Sequence, residues 1–162
     1  NIHRATVSDF GREWRRFDQD DVADAELAQL FETFGIFAWD RLPENAIGFG
    51  AGCGSGRWAA LAAPRIGHLH CVDASSQALI VAREKLASQS NVSLHEGSLD
   101  VLPFADSSMD LGYSLGVLHH LSDQRAGLAA CVKKLKPGAR MLVYIYYAST
   151  TGPLVSAAVP GQ

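Results

Sequence analysis

Five glycines occupy alternate positions in the stretch "AIGFGAGCGSGRWAAL" at residues 46–61: Gly48, Gly50, Gly52, Gly54 and Gly56. Glycine is a poor strand residue, because it loses the most entropy on ordering and packs no side chain. Between a strand and a helix, however, glycines let the backbone approach a ligand, and the helix start offers unpaired N–H groups to an anion. The stretch therefore predicts a strand, a ligand-binding turn and a helix.

The spacing of these glycines excludes two common phosphate-binding turns. A GxxxxGK[ST] loop requires a lysine that this stretch lacks. The dinucleotide fingerprint GxGxxG requires a third glycine at a position where the chain has Arg57 or Ser55. What remains is the pattern GxGxG at residues 52–56, which includes Cys53. This tighter turn suits a ligand without a pyrophosphate.

Asp73 is the acid that accompanies this turn. It closes the next predicted strand, "HLHCVD", about 20 residues further on, where an acid can accept hydrogen bonds from both hydroxyls of a ribose. The same residue is also suited to cap the helix that follows, which would give it a structural role only. Its distance from GxGxG favours the ribose.

Strands alternate with helices from residue 46 onward. The predicted strands are 46–50, 68–73, 91–97, 109–116 and 139–147, and the predicted helices between them are 56–63, 75–88 and 122–135. This alternation predicts a doubly wound α/β fold, with a mostly parallel sheet and helices on both faces. Ligands of such sheets bind beyond the carboxyl ends of the strands, where the strand order reverses.

Four segments in this order resemble the class I S-adenosylmethionine-dependent methyltransferases, in particular the methyltransferase type 11-like group: "GAGCGSGRWA", "CVDAS", "EGSLDVLPFADSSMDLGYSLGVLHHL" and "KKLKPGARMLVYIYY". The resemblance covers residues 45–147. It implies a Rossmann-like fold, S-adenosyl-L-methionine as the cofactor and transfer of a methyl group to a small-molecule acceptor. The family adds two further strands, which we expect this chain to lack.

The resemblance also implies which residues hold the cofactor. The glycine turn at residues 52–56 would lie under the methionine part, and Asp73 would hold the ribose. Residues after the second, third and fourth strands would contact the rest: Ala74 beside the adenine, Ser98 and Leu99 at its edge, and carbonyls around Leu115 at the methionine amino group.

Two positions depart from the family's pattern. Gly50, which belongs to the cofactor-binding stretch, stands where the family usually has an acid that orients the loop and the cofactor's ammonium group. We therefore expect Gly50→Asp to tighten cofactor binding, unless another side chain already fills that space. Ser98 stands where the family often has an aspartate, and its hydroxyl can hydrogen-bond the adenine amine without a charge.

His119 and His120 follow the fourth predicted strand, near the place where the methyl group should emerge. Methyl transfer from a sulfonium depends largely on positioning, and an oxygen or nitrogen acceptor also needs a base. We expect His120, or else His119, to be that base; the alternative is that both pack or hydrogen-bond locally. No carboxylate pair and no spacing of His, Asp and Glu predicts a metal site.

Three parts of the chain are predicted: a helical lid or cap at 1–40, the cofactor-binding domain at 41–148 and a tail at 149–162 that marks a truncation. Apolar spacing predicts helices over residues 1–19 and 20–34. The aromatic residues of the first helix would cover the cofactor or pack on the sheet: Phe10, Trp14 and Phe17.

The composition excludes several classes of partner. The net charge of -3 and the pI near 6.0 provide no general attraction to nucleic acid or to an anionic membrane. Cys53, Cys71 and Cys131 share no CxxC spacing, so neither a disulfide framework nor a zinc site is predicted, and a cytoplasmic setting is favoured. The sequence does not predict the oligomeric state.

A second hypothesis is that the chain is a binding module and not an enzyme. The chain would be a methyltransferase-like module that holds the cofactor or a related nucleoside without turnover. Gly50 and the short C-terminal part favour this module, whereas the LPF and LHH segments favour the enzyme.

Overall fold

The computed structural model describes Phe37 and residues 39–145. The predicted helices at 1–19 and 20–34, the aromatic lid and the predicted tail lie outside these residues, as does the expectation about further strands. The described elements are β1 (Ile47–Ala51), α1 (Arg57–Ala62), β2 (His68–Asp73), α2 (Ser76–Lys85), β3 (Val92–Glu96), β4 (Met109–Leu115), α3 (Gln124–Lys134) and β5 (Leu135–Tyr144). Short 3-10 helices cover Trp39–Arg41, Ala63–Arg65 and Leu118–His120.

The strands form one sheet in the order β3-β2-β1-β4-β5. Neighbouring strands are parallel throughout this sheet. Strand order reverses at β1, because the chain first proceeds to β2 and β3 on one side and then crosses to β4 and β5 on the other. The predicted doubly wound α/β fold is confirmed.

Two buried clusters cover the two faces of the sheet, because successive strand residues point to opposite faces. On one face, Leu69 and Leu111 pack with Ala59 of α1 and Ala82 of α2. On the other face lies a second set, made of Phe49, Val72, Leu118, Leu121 and Cys131, the last from α3. Helices therefore cover both faces, with α1 and α2 together and α3 opposite. Among residues 39–145, no helix has both the length and the apolar character that crossing a membrane requires.

The central strands β1 and β4 interlock through three consecutive pairs, each of a glycine with a large side chain. The pairs are Gly48 with Leu111, Phe49 with Gly112, and Gly50 with Tyr113. A Cβ atom at Gly50 would lie 2.6 Å from both Cζ and the hydroxyl oxygen of Tyr113. Nothing can be added there without moving the ring. Positions 48 and 50 of β1 therefore lack side chains because Leu111 and Tyr113 of β4 occupy that space.

Strand β5 differs from its prediction in where it begins. The sequence predicted a turn at "KPG" before the strand, but β5 begins at Leu135, directly after the last residue of α3. Its register then jumps, since Leu135 pairs with Met109 whereas Arg140 pairs with Leu111, so the "KPG" segment bulges out of the sheet. The strand's residues from 136 to 144 are half-exposed or exposed. In the described part of the chain, β5 pairs with β4 alone.

Three histidines form a ring cluster where β2 pairs with β3. His70 Nδ1 lies 3.0 Å from His95 Nε2, and His68 Nε2 lies 2.9 Å from the hydroxyl oxygen of Ser93. The ring of Phe104 packs against both His70 and His95, at centroid distances of 5.0 and 5.6 Å. Burial, followed by the neighbouring His68 and His95, lowers the pKa of His70 to about 4.

We expect the protein to lose stability as the pH falls from about 6.5, the ordinary value for histidine, towards the pKa of about 4 that His70 has in the fold. In this window the unfolded chain binds the proton and the folded one does not, so the free energy of unfolding rises with pH. Because His70 is partly exposed, the contribution after solvent screening is about 1 kcal/mol. Urea unfolding at pH 4.5, 5.5 and 7 measures it.

The control for this prediction is His70→Gln, which should flatten the pH dependence over that window. The fold also lowers the pKa of His95 and of His120, so His95→Gln and His120→Gln test their shares of the effect. An unchanged pH profile in His70→Gln would assign the effect to another group.

Candidate cofactor site

The predicted site residues follow the carboxyl ends of neighbouring parallel strands. The glycine turn at residues 52–56 follows β1, Asp73 ends β2, and Ser98 comes two residues after β3. Leu115 ends β4, and the two histidines lie on the 3-10 helix that follows it. Because β1 and β4 are neighbours at the reversal of strand order, this edge is where ligands of doubly wound sheets bind.

The glycine turn adopts a backbone conformation that side chains disfavour. Gly52, Gly54 and Gly56 have φ of 76, 53 and 83°, all in the left-handed region. The turn is fastened to β2, since the N–H groups of Gly52 and Cys53 both donate to the carbonyl of Val72, at 2.8 and 3.1 Å. No side chain caps the start of α1 at Gly56.

Packing within the protein accounts for the missing side chains at both ends of this turn. A Cβ on Gly52 would lie 2.5 Å from Cγ1 of Val117, and one on Gly56 would lie 2.9 Å from Cδ1 of Leu86 on the segment that ends α2. The sequence reasoning attributed these glycines to the approach of a ligand. At Gly52 and Gly56 the approaching group is a protein side chain, and a role for the turn's backbone in binding stays a prediction.

Asp73 links the turn to the next strand. Its Oδ2 accepts a hydrogen bond from the N–H of Gly54 at 2.8 Å, and its Oδ1 accepts one from the N–H of Ser75 at 2.9 Å. Burial raises the pKa of Asp73, and backbone hydrogen bonds from Ser75, Gly54 and Ala74 oppose this effect. The cap of α2 is Ser75, whose Oγ accepts from the N–H of Ala78 at 3.3 Å, so Asp73 is not the helix cap.

The other residues predicted to contact the cofactor differ in how deeply they are buried and in which atoms could reach a ligand. Ala74 and Ser98 are half-buried, and the Ser98 hydroxyl accepts from the N–H of Asp100 at 3.4 Å. The Leu99 side chain is 2% exposed and belongs to the core, so an adenine contact by this residue would use its backbone. Leu115 is buried at the end of β4.

The rings of His119 and His120 contact each other after β4, at a tilt of 46°. Their ring centroids lie 3.9 Å apart, and buried Leu118 anchors the same 3-10 helix to the core. His120 is exposed. Burial of part of its ring, followed by the neighbouring His119, lowers the pKa of His120, so this imidazole is neutral at pH 7.

One residue at this edge, Ser114, escaped the sequence reasoning. Ser114 is fully buried and donates its hydroxyl to the carbonyl of Ala51 at 2.9 Å, which holds the end of β1 just before the turn. A serine inside the apolar run "MDLGYSLG" was the available signal. Cys53, which the sequence placed in the cofactor-binding turn, is buried, and a hydrogen bond with the Cys71 side chain, together with burial, raises the pKa of its thiol well above the usual range. Cys53 is therefore protonated and unsuited to nucleophilic chemistry.

The hydrogen-bond acceptors of Asp73 fit a nucleoside with a free ribose. Each carboxylate oxygen of Asp73 accepts one backbone N–H and retains capacity for a further donor, such as a ribose hydroxyl. Within residues 39–145, no three His, Cys, Asp or Glu side chains are grouped so that they could hold a metal ion. The protein is thus a doubly wound α/β protein in which the glycine turn and Asp73 meet at the strand reversal.

The chain belongs to a known family, because residues 49–143 match the family described as a methyltransferase domain. Over 124 residues it is 29% identical to phosphoethanolamine N-methyltransferase 2 of Caenorhabditis elegans, an alignment that covers 75% of this chain and 27% of that protein. Over 108 residues it is 32% identical to demethylmenaquinone methyltransferase of Staphylococcus aureus, which covers 63% of this chain and 43% of that protein.

Solved structures show the same fold. The YcgJ protein from Bacillus subtilis superposes with a TM-score of 0.66 at 25% identity, over 78% of this chain and 52% of that one. A SAM-dependent methyltransferase from Aquifex aeolicus superposes with a TM-score of 0.69 at 18% identity, over 88% and 77%. The family and this fold support S-adenosylmethionine as the cofactor. The chain spans only 36, 27 and 43% of the length of three of its relatives.

Proposed function

We propose that this protein is an S-adenosylmethionine-dependent methyltransferase that acts on a small-molecule acceptor in the cytoplasm. The observation that carries the proposal is the hydrogen bond from the Gly54 N–H to Asp73 Oδ2, at 2.8 Å. This contact joins the two sequence motifs in one site at the reversal of strand order. Relatives named for phosphoethanolamine and demethylmenaquinone, both small molecules, support the class of acceptor.

In this proposal, different residues contact different parts of the cofactor. Asp73 would accept the ribose hydroxyls, the turn at residues 52–56 would lie beneath the methionine part, and Ala74 and Ser98 would border the adenine. When bound, the cofactor supplies a methyl group on a positively charged sulfur. The protein's main contribution is then to align an acceptor for in-line displacement, which depends on rigid positioning. The tie between Ser114 and the end of β1 provides such rigidity.

His120 is the proposed base for an oxygen or nitrogen acceptor. Its neutral ring can take the acceptor's proton as the methyl group is transferred, and its exposed position lets an acceptor approach. His119 favours the neutral form of His120, because its adjacent ring disfavours a positive charge there.

A binding isotherm with S-adenosylhomocysteine, run beside one with NAD, tests the proposal. Binding of the first ligand and not of the second is expected. Absence of S-adenosylhomocysteine binding would contradict it, and binding without methyl transfer to any nucleophile offered would favour the alternative of a non-catalytic binding module.

Asp73→Ala is expected to weaken S-adenosylhomocysteine binding by ~1.5–3 kcal/mol, the loss typical of charge-assisted hydrogen bonds. Part of that loss comes from releasing the Gly54 N–H, so the ligand must be varied as well. The wild type should bind 2′,3′-dideoxy S-adenosylhomocysteine much more weakly than the parent compound, and Asp73→Ala should bind the two alike. Isothermal titration measures all four affinities.

The matched control is Glu84→Ala, which removes the same charge from an exposed position on α2. Its affinities should equal those of the wild type. If Asp73→Ala still prefers the ligand with hydroxyls by the full wild-type margin, Asp73 does not hold the ribose.

A further inference from the structure

A second concave site lies at the amino-terminal ends of the strands, whereas the glycine turn follows the carboxyl end of β1. Its cavity of about 270 Å³ is bounded by the segment before β1, by the start of β4 and by the bulge in β5. Phe37, Leu42 and Pro43 form an apolar wall on one side, and Pro137 lies on the other. None of the predicted cofactor residues borders this cavity.

The one acid that lines this cavity is already neutralised. Asp110 Oδ1 accepts a hydrogen bond from the Lys136 ammonium group at 2.7 Å, and its Oδ2 accepts one from the N–H of Ile47 at 2.9 Å. Two further cations border the cavity, Arg41 and Arg140, and both are exposed. Among the residues that the structure describes, neither has an acidic partner. The cavity therefore carries a surplus of two positive charges.

As far as residues 39–145 are concerned, the bulge in β5 leaves the cavity open. Gly138 has a φ of 80°, and a Cβ atom there would meet nothing within 4 Å. The glycine permits the tight bulge, and the absence of a side chain leaves the space beside the guanidinium groups accessible. An open cavity with an apolar wall on one side and two unneutralised guanidinium groups on the rim has the features of a site for an amphipathic anion.

We propose that this cavity is a second ligand site, for a small organic anion that carries a phosphate or carboxylate group on an apolar body. Guanidinium groups recognise both anions through paired hydrogen bonds. The cavity is at or below the small end of the usual ligand range of about 300–1,000 Å³, so it suits a ligand much smaller than a nucleoside cofactor. The ligand's apolar body would lie against Phe37 and Pro43.

Titration with three probes at constant ionic strength tests this proposal on the full chain: phenyl phosphate, inorganic phosphate and phenol. Phenyl phosphate should bind saturably at one site, and at least about tenfold more tightly than either fragment, since only it engages both the guanidinium groups and the apolar wall. Saturating S-adenosylhomocysteine should leave this binding unchanged, because the two sites lie at opposite ends of the strands.

The decisive variant is Arg41→Gln with Arg140→Gln, in which phenyl phosphate affinity should fall at least about tenfold. The matched control is Arg83→Gln with Arg125→Gln, which removes two exposed arginines remote from the cavity and should bind like the wild type. No saturable binding, equal loss in both double variants or competition by S-adenosylhomocysteine would overturn the proposal. Its outcome is independent of whether S-adenosylhomocysteine binds at all.

Discussion

Gly50→Asp is expected to destabilise the protein by about 3 kcal/mol or more and to weaken S-adenosylhomocysteine binding with it. The Cβ atom alone would lie 2.6 Å from the Tyr113 ring, and a carboxylate would follow it into a fully buried position between strands. This expectation reverses the one drawn from the sequence, in which the acid would restore a contact to the cofactor. Urea unfolding and ligand titration measure the two effects.

A second substitution tests whether the contact with the Tyr113 ring, and not any change at Gly50, causes the loss of stability. Tyr113→Leu replaces the ring with a shorter side chain that lacks Cζ and the hydroxyl group, so Gly50→Asp should cost less in that background than in the wild type, and the two effects should be non-additive. Gly97→Ala is the control, because its Cβ would make only an ordinary contact with Val72, at 3.6 Å. A variant Gly50→Asp that melts no lower and binds more tightly would show that the Tyr113 ring yields.

Gly52→Ala is expected to cost ~2–5 kcal/mol of stability and to reduce S-adenosylhomocysteine affinity at least about tenfold. Two effects add at this position. A φ of 76° is unfavourable for alanine, and its Cβ would lie 2.5 Å from Val117 Cγ1. Relief of that contact would move the turn away from β2, whose Val72 carbonyl now holds the Gly52 N–H at 2.8 Å. Calorimetric melting and ligand titration measure the result.

Gly138→Ala is the matched control for the backbone part of that cost. Its φ of 80° is close to that of Gly52, but its Cβ would meet nothing within 4 Å. We therefore expect a loss of only ~1–2 kcal/mol and unchanged S-adenosylhomocysteine affinity. If both variants lose the same stability, the contact with Val117 contributes nothing.

Sequence reasoning performed best where one physical signal determined the structure. The segment "HLHCVD" is a strand with the predicted bounds, because its apolar positions alternate and a turn follows Asp73. The parallel arrangement of the sheet, with helices on both faces, followed from the alternation of strands and helices, which leaves few topologies open. The pairing of Asp73 with the turn also followed, since both motifs come directly after neighbouring parallel strands.

What failed was inference about partners that are distant in the chain. Gly50 and Tyr113 are 63 residues apart. The reason why position 50 is a glycine could therefore not be inferred without knowing the register between β1 and β4. The start of β5 was missed because a bulge keeps the pairing across "KPG", where a turn is the usual outcome.

The three interlocked pairs of β1 and β4 also constrain how this sequence can diverge. Each pair combines a glycine with a large residue across the strands, so enlarging the glycine is harmful until its partner has become smaller. Mutational paths must therefore shrink the partner first and enlarge the glycine second. Among homologous sequences, positions 48 and 111, 49 and 112, and 50 and 113 should vary together, with one member of each pair small whenever the other is large. The size of the residue at position 50 would then identify, from sequence alone, which relatives have a bulky residue at position 113.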